Sequence, residues 1–310
     1  MDYEGFIQQQ VASLRQTVGD GLAINALSGG VDSAAVTLLG HRALGKRLRS
    51  VYIDNALMRE GEAELVVGTF AEMGIPVERI DAQREFLEAL AGLTDPEKKR
   101  QAITTSFYRE VFGRIVRQTG ARFLLHGTIL TDIEETVAGI KRQHNILEQL
   151  GIDPEKEYGY QVLEPLRTLR KDSVRALARR LGLPARLAER IPFPGPGLAA
   201  RITGEVTPQR LQTVRAATAI VEEELSDSDA FQYLAALLSD KATGIRDGRR
   251  EYGEIVVVRC VNSVDAREAT VVELPWPKLH QICRRITALP GVNRCVYDLT
   301  PKPPGTIEYI

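Results

Sequence analysis

Six consecutive residues, Ser28 to Ser33, read SGGVDS and combine two hydroxyls, two glycines and a carboxylate. That set can hold a phosphate and a cation together. Gly29 and Gly30 lack a β-carbon, so the backbone can come close to an anion. Ser28 and Ser33 offer hydroxyl donors, and Asp32 can hold a Mg2+ ion that bridges phosphate oxygens. The stretch lacks the Gly-Lys-Ser/Thr ending of a Walker-type loop, so it is a different kind of cradle. A tight turn with no ligand is the bland alternative, but six specified residues exceed what a bare turn needs.

The neighbouring residues must present this loop. Leu22, Ile24, Ala26 and Leu27 read as a buried strand, and Ala35, Val36, Leu38 and Leu39 read as a helix that ends near Gly45. The loop then lies before a helix N-terminus, where unpaired N–H groups and the positive end of the dipole favour an anion. Val51, Tyr52 and Ile53 give a second buried strand with Asp54 at its carboxyl end. A helical run from Glu62 to Met73 precedes a third strand around Val77 to Ala82. A long helix is expected over about Thr105 to Thr119, a fourth strand over Arg122 to Leu125, and a fifth over Gln161 to Leu166. Strands alternating with helices predict an α/β, doubly wound, five-stranded parallel sheet with its ligand at the carboxyl ends of the strands. The loop, Asp54 and the His126-Gly127-Thr128 turn then share one edge.

Past Arg190 the texture changes. Ile191 to Leu198, IPFPGPGL, holds three prolines and two glycines and predicts a rigid irregular segment at a domain boundary. Thr207-Pro208 reads as an N-cap with proline at the first helical position. A strand is expected over Ile255 to Val261, then a helix with Leu279, Ile282, Cys283 and Ile286 on one face. Near the end, Cys295, Tyr297 and Leu299 alternate with Arg294, Val296 and Asp298. Residues 1–190 and 191–310 are the expected domains, the second of α+β class.

A formal net charge of -1 gives no overall pull toward nucleic acid or membrane, so neither is an expected partner. The basic run from Arg167 to Arg190 reads as a solvated helix face around the apolar stripe Val174, Leu177, Ala178 and Leu181. Cys260, Cys283 and Cys295 lack C-x-x-C spacing, which argues against a zinc site or disulfide framework and fits a reducing cytoplasm.

SGGVDS resembles the pyrophosphate loop of ATP pyrophosphatases. Together with PFPGPGLA and the closing KPPGTIE, it makes the chain similar over its full length to the GMP synthetase family. The matching part is that family's adenine nucleotide hydrolase-like ATP pyrophosphatase domain, followed by a smaller α+β dimerisation and substrate-binding domain. This resemblance implies ATP as co-substrate with Mg2+, XMP as acceptor, a homodimer, and ammonia from a separate glutamine amidotransferase subunit. It implies a catalytic set of Asp32, Ser33 and Lys141, with Asp32 the metal ligand. Ser28, Gly29, Gly30, Val31, Asp32, Ser33, Ile53 and Gly127 would hold ATP. Arg100, His144, Lys302, Thr306, Ile307 and Glu308 would hold the acceptor.

The family's mobile lid resembles IKSHHNVGGLP, whereas this chain has Ile140-Lys141-Arg142-Gln143-His144-Asn145 followed by ILEQLG. The first lid histidine and the glycine pair are missing, which removes easy access to positive φ. Two other readings stay open at this point. One is a divergent paralogue that adenylates another oxo acceptor for nitrogen or sulfur transfer. The other is a nucleotide-binding regulator without turnover.

Overall fold

A computed structural model describes residues 1–130, 133, 159–264 and 266–310. Strand β1 (Ala23–Ala26) pairs in parallel with β2 (Leu48–Asp54) on one side and β4 (Phe123–Leu125) on the other. With β3 (Val77–Asp81) and β5 (Gln161–Leu163) this makes a five-stranded parallel sheet in the order β3-β2-β1-β4-β5, as the alternating pattern predicts. The order reverses between β1 and β4. Loops leaving the carboxyl ends of those two strands therefore flank the crevice where such sheets bind ligands.

Helix α1 (Tyr3–Val18) starts at Asp2, whose carboxylate accepts the Gly5 N–H at 3.0 Å. Its Ile7, Val11, Leu14 and Val18, spaced by fours and threes, form one buried stripe. Helix α2 (Val31–Leu44) is buried nearly all round, as its run of small and apolar residues allows. Helix α3 (Glu62–Glu72) follows β2. All three contribute to one apolar cluster with Tyr52, Leu125 and Leu177.

Two units emerge from the packing. The first comprises residues 1–54, 61–82 and 104–190, and the second comprises 55–60, 83–103 and 191–310. Helices α4 (Gln83–Leu90) and α5 (Pro96–Thr105), the latter in its first eight residues, fall in the second unit.

The helix expected over Thr105 to Thr119 begins earlier. Asp95 accepts the Lys98 N–H at 2.9 Å and Pro96 opens α5, an acid-then-proline start upstream of Thr105. The backbone then widens into a π segment over Ser106–Phe112 and closes as α6 (Gly113–Thr119), capped by left-handed Gly120. Helices α7 (Lys171–Arg180) and α8 (Ala185–Ala188) finish the first unit. Val174, Leu177 and Ala178 of α7 are fully buried, matching the expected stripe.

In the second unit α9 (Pro208–Glu224) starts as expected: the Thr207 hydroxyl accepts the Arg210 N–H at 3.2 Å. Strand β7 (Arg249–Asn262) is central. Strand β6 (Gln232–Arg246) lies antiparallel along one of its edges, while β8 (Thr270–Val271) and parallel β9 (Val292–Tyr297) share the other. Both long arms exceed the single strand expected at Ile255 to Val261. They meet at Asp247-Gly248, each with positive φ, in a two-residue hairpin turn flanked by exposed, charged arms. Helix α10 (Trp276–Thr287) buries Ile282 and Ile286, and β9 ends before Leu299, which is exposed. All three cysteines are free. No helix among the described residues is long and apolar enough to cross a membrane.

Lys99 of α5 is 1% exposed, and its ammonium donates to the Ile202 carbonyl at 2.7 Å. Burial, with the Arg210 charge adding to it, lowers its pKa from 10.5 to about 8. Between those values the unfolded chain binds more protons than the folded one, so stability rises with pH across that window. The gain is about 3 kcal/mol at most. Urea unfolding of wild type and Lys99→Met at pH 7 and pH 10 is expected to show this rise in wild type alone. An equal pH response in both would refute the assignment.

Candidate active site

The loop after β1 is tied to the sheet by a buried relay. Ser50 of β2 donates to Asn25 Oδ1 at 2.7 Å, Asn25 Nδ2 donates to Thr37 Oγ1 at 2.6 Å, and Thr37 donates to the Ser33 carbonyl at 2.8 Å. The first turn of α2 is thereby fixed to the central strands. Within the loop, Ser33 Oγ donates to the Gly30 carbonyl at 3.0 Å and accepts the Ser28 N–H at 3.1 Å. Its single proton thus committed, Ser33 accepts from the Ser28 hydroxyl at 3.0 Å. Both hydroxyls brace the loop internally here. Gly30 is the N-cap of α2 and brings no side chain, so the first-turn N–H groups of Val31, Asp32 and Ser33 have no intrahelical acceptor.

Asp32 accepts the Lys171 ammonium on Oδ2 at 2.5 Å, while its Oδ1 is buried with no hydrogen-bond partner among the described residues. Lys171 opens α7. A cation there opposes the helix dipole, and this is the one sequence signal that it serves something other than its own helix. Among the described residues no cluster of three or more His, Cys, Asp or Glu side chains could hold a metal. Asp32 still fits a Mg2+ ion of the kind bound through one carboxylate, phosphate oxygens and water. Its orphaned Oδ1 is the acceptor such an ion requires.

Gly127, after β4, lies against the same turn. A β-carbon there would come within 3.3 Å of the Asp32 carbonyl carbon and the Ser33 nitrogen. Beside it, Thr128 donates to Glu164 Oε1 at 2.6 Å, so His126 Nδ1 must carry the proton it shares with Thr128 at 2.8 Å. His126 Nε2 then accepts the Tyr108 hydroxyl at 3.3 Å, from a phenol that burial pushes up to about 12. This relay holds the histidine in place. Ile53 is buried within β2 at 5% exposure.

The second unit gathers the C-terminal residues. Lys302 pairs with Ala269 through both backbone groups, and its ammonium donates to the Ala266 carbonyl at 2.7 Å. The Thr306 hydroxyl donates to the Glu308 carbonyl, and Ile307 is packed with Leu234, Val257 and Ala269. Glu308 accepts from Arg201 Nε at 3.1 Å, Arg201 Nη2 at 3.0 Å and Gln232 Nε2 at 2.6 Å. Arg100 is exposed, pairs with Glu97 at 3.3 Å, and lines a small cleft with Pro96, Pro196, Ala200 and the C-terminal Ile310. Lys141 and His144 lie outside the described residues, as do the lid departures at Arg142 and Gln143.

The first unit thus brings open N–H groups, a carboxylate and a lysine together at the sheet's switch point. The description "GMP synthase C terminal domain" matches residues 219–309. The chain is 49% identical to a subunit of the glutamine-hydrolyzing GMP synthase of Archaeoglobus fulgidus, covering 100% of both chains. It is 46% identical to the same subunit of the Pyrococcus furiosus enzyme, covering 99% of this chain and 97% of that one. A solved NH3-dependent NAD synthetase from Campylobacter jejuni is similar at a TM-score of 0.48 and 16% identity, over 63% of this chain and 80% of that chain.

Proposed function

We propose, for a chain that belongs to the family of synthetase subunits of glutamine-hydrolyzing GMP synthase, ATP-dependent amination of XMP to GMP with ammonia from a partner glutaminase subunit. The observation that carries this reading is the SGGVDS loop, braced at the switch point with its first-turn N–H groups open. In the first step the xanthine C2 oxygen attacks the α-phosphorus of ATP, the α–β bridging bond breaks, and pyrophosphate leaves. Ammonia then attacks C2, the C2–O bond breaks with AMP as leaving group, and the nitrogen loses a proton.

The chain's own residues take distinct parts in this reading. N–H groups of Val31, Asp32 and Ser33, with the two serine hydroxyls re-aimed, hold the departing pyrophosphate where its charge grows. Lys171 shifts from Asp32 to a phosphate oxygen when nucleotide binds, freeing Asp32 for Mg2+. When bound, that ion spreads the charge building on the phosphate oxygens. Gly127 keeps the turn after β4 free of side-chain bulk, and the backbone of Ile53 meets the adenosine. Lys141 acts on the phosphates, and Arg100, His144, Lys302, Thr306, Ile307 and Glu308 receive XMP. We place the division of labour near Arg190, with residues 1–190 cleaving ATP and 191–310 binding the acceptor and forming a homodimer. A cytoplasmic location fits the free cysteines.

Purified protein given ATP, Mg2+, XMP and ammonium chloride is expected to release GMP, AMP and pyrophosphate in equal amounts. AMP formation that ignores XMP would overturn the reading. Light scattering on the same preparation is expected to give twice the 34.3 kDa chain mass, and a stable monomer would exclude the dimer.

A further inference from the structure

Behind the loop lies a carboxylate that the chemistry above does not use. Glu62, the first residue of α3, is 3% exposed, and its Oε1 would stand 2.5 Å from a β-carbon on Gly29. Gly29 has φ +81°, so a side chain is excluded there both by its backbone and by this carboxylate. Arg190 grips both carboxylate oxygens, Nη1 to Oε1 at 2.5 Å and Nη2 to Oε2 at 2.6 Å. The hydroxyl of Tyr52, buried with no hydrogen-bond partner among the described residues, is held strongly protonated by burial and then by the Glu62 charge, with Arg190 acting in the opposite sense.

A negative charge directly behind a pyrophosphate cradle opposes the ligand, and a positive one favours it. Mere bracing of a glycine turn needs no charge. We propose that the Glu62–Arg190 pair sets how tightly the loop holds pyrophosphate: Glu62 weakens the grip so that product leaves, and Arg190 limits that weakening so that ATP still binds. Both are positioning residues that act through the field at the loop. The inference rests on the loop being a pyrophosphate site.

Removing one charge at a time separates this role from bracing. Glu62→Gln keeps the shape and an acceptor for Arg190, and is expected to lower the dissociation constant of magnesium pyrophosphate on the order of tenfold. It is also expected to lower kcat where release limits turnover. Arg190→Gln is expected to raise that constant by a similar factor, and the double variant to return near wild type. Calorimetric titration with inorganic pyrophosphate and Mg2+ reads all three, with melting temperature followed in parallel. Opposite shifts from the two single variants support the proposal. Weakening by both, or changes under twofold in both, overturns it while the reading of the loop stands. If Arg190→Gln does not fold, Glu62→Gln decides alone, tighter binding supporting the proposal and equal or weaker binding overturning it. A wild-type protein that binds no pyrophosphate overturns both this proposal and the reading beneath it.

Discussion

Replacing Asp32 with asparagine is expected to cut XMP-dependent pyrophosphate release by more than about 100-fold, the scale on which a preorganised charge at a leaving group acts. The fold should lose less than about 1 kcal/mol, because the Asp32–Lys171 pair is partly exposed at both ends. These two numbers together define the role. An amide keeps the size of the side chain and one oxygen for Lys171, but it is a poor ligand for Mg2+, and Oδ1 becomes an uncharged atom. Continuous pyrophosphate detection measures the first effect and urea unfolding the second. Activity within tenfold of wild type would remove Asp32 from metal binding. A stability loss above 3 kcal/mol would instead make it a strut for α7. Lys171 predicts a further distinction: ATP affinity should fall in the variant less than turnover does, since the N–H groups of α2 remain.

The loop itself was legible because its parts are local. Ser28, Gly30 and Ser33 bond with one another within six residues, so spacing alone reports the turn. The helix start at Thr207-Pro208 was legible for the same reason. What spacing could not report are partners far apart in the chain. Lys171 reaches Asp32 across 139 positions, Arg190 reaches Glu62 across 128, and Arg201 reaches Glu308 across 107. Nothing in the chain near Arg201 marks it as the most buried charge among the described residues of its unit. The pairing of β6 with β7 was hidden differently. Its Asp-Gly turn was in plain view, but the outer arms are exposed and charged and carry no clean alternation that would announce a strand. Cys283 and Cys295 are brought near each other only because α10 folds back on β9. Sequence spacing of twelve gives no hint of that.

Glu308 is expected at the acceptor through its place in KPPGTIE, and the structure gives it a second duty that makes its loss severe. Arg201 is 0% exposed and stacks with its guanidinium carbon 4.7 Å from the Phe193 ring centre. Its Nη1 has no hydrogen-bond partner among the described residues, so Glu308 is the counter-charge on which its burial depends. Glu308→Ala would leave that guanidinium buried without a carboxylate, an arrangement that costs about 3–5 kcal/mol. The expected result is a lower urea midpoint with GMP formation lost as well, because Ile307 beside it is packed in the core and leaves with the segment. A loss below 1 kcal/mol would show that the pair is no lock. Separating the two duties requires removing both charges. Arg201→Met with Glu308→Met replaces the pair by apolar groups of similar length, a change that is often neutral or stabilising at buried ion pairs. That double variant is expected to fold near wild-type stability and still fail to make GMP, since no acceptor remains for the purine N–H groups. GMP formation at the wild-type rate in that variant would assign Glu308 to structure alone.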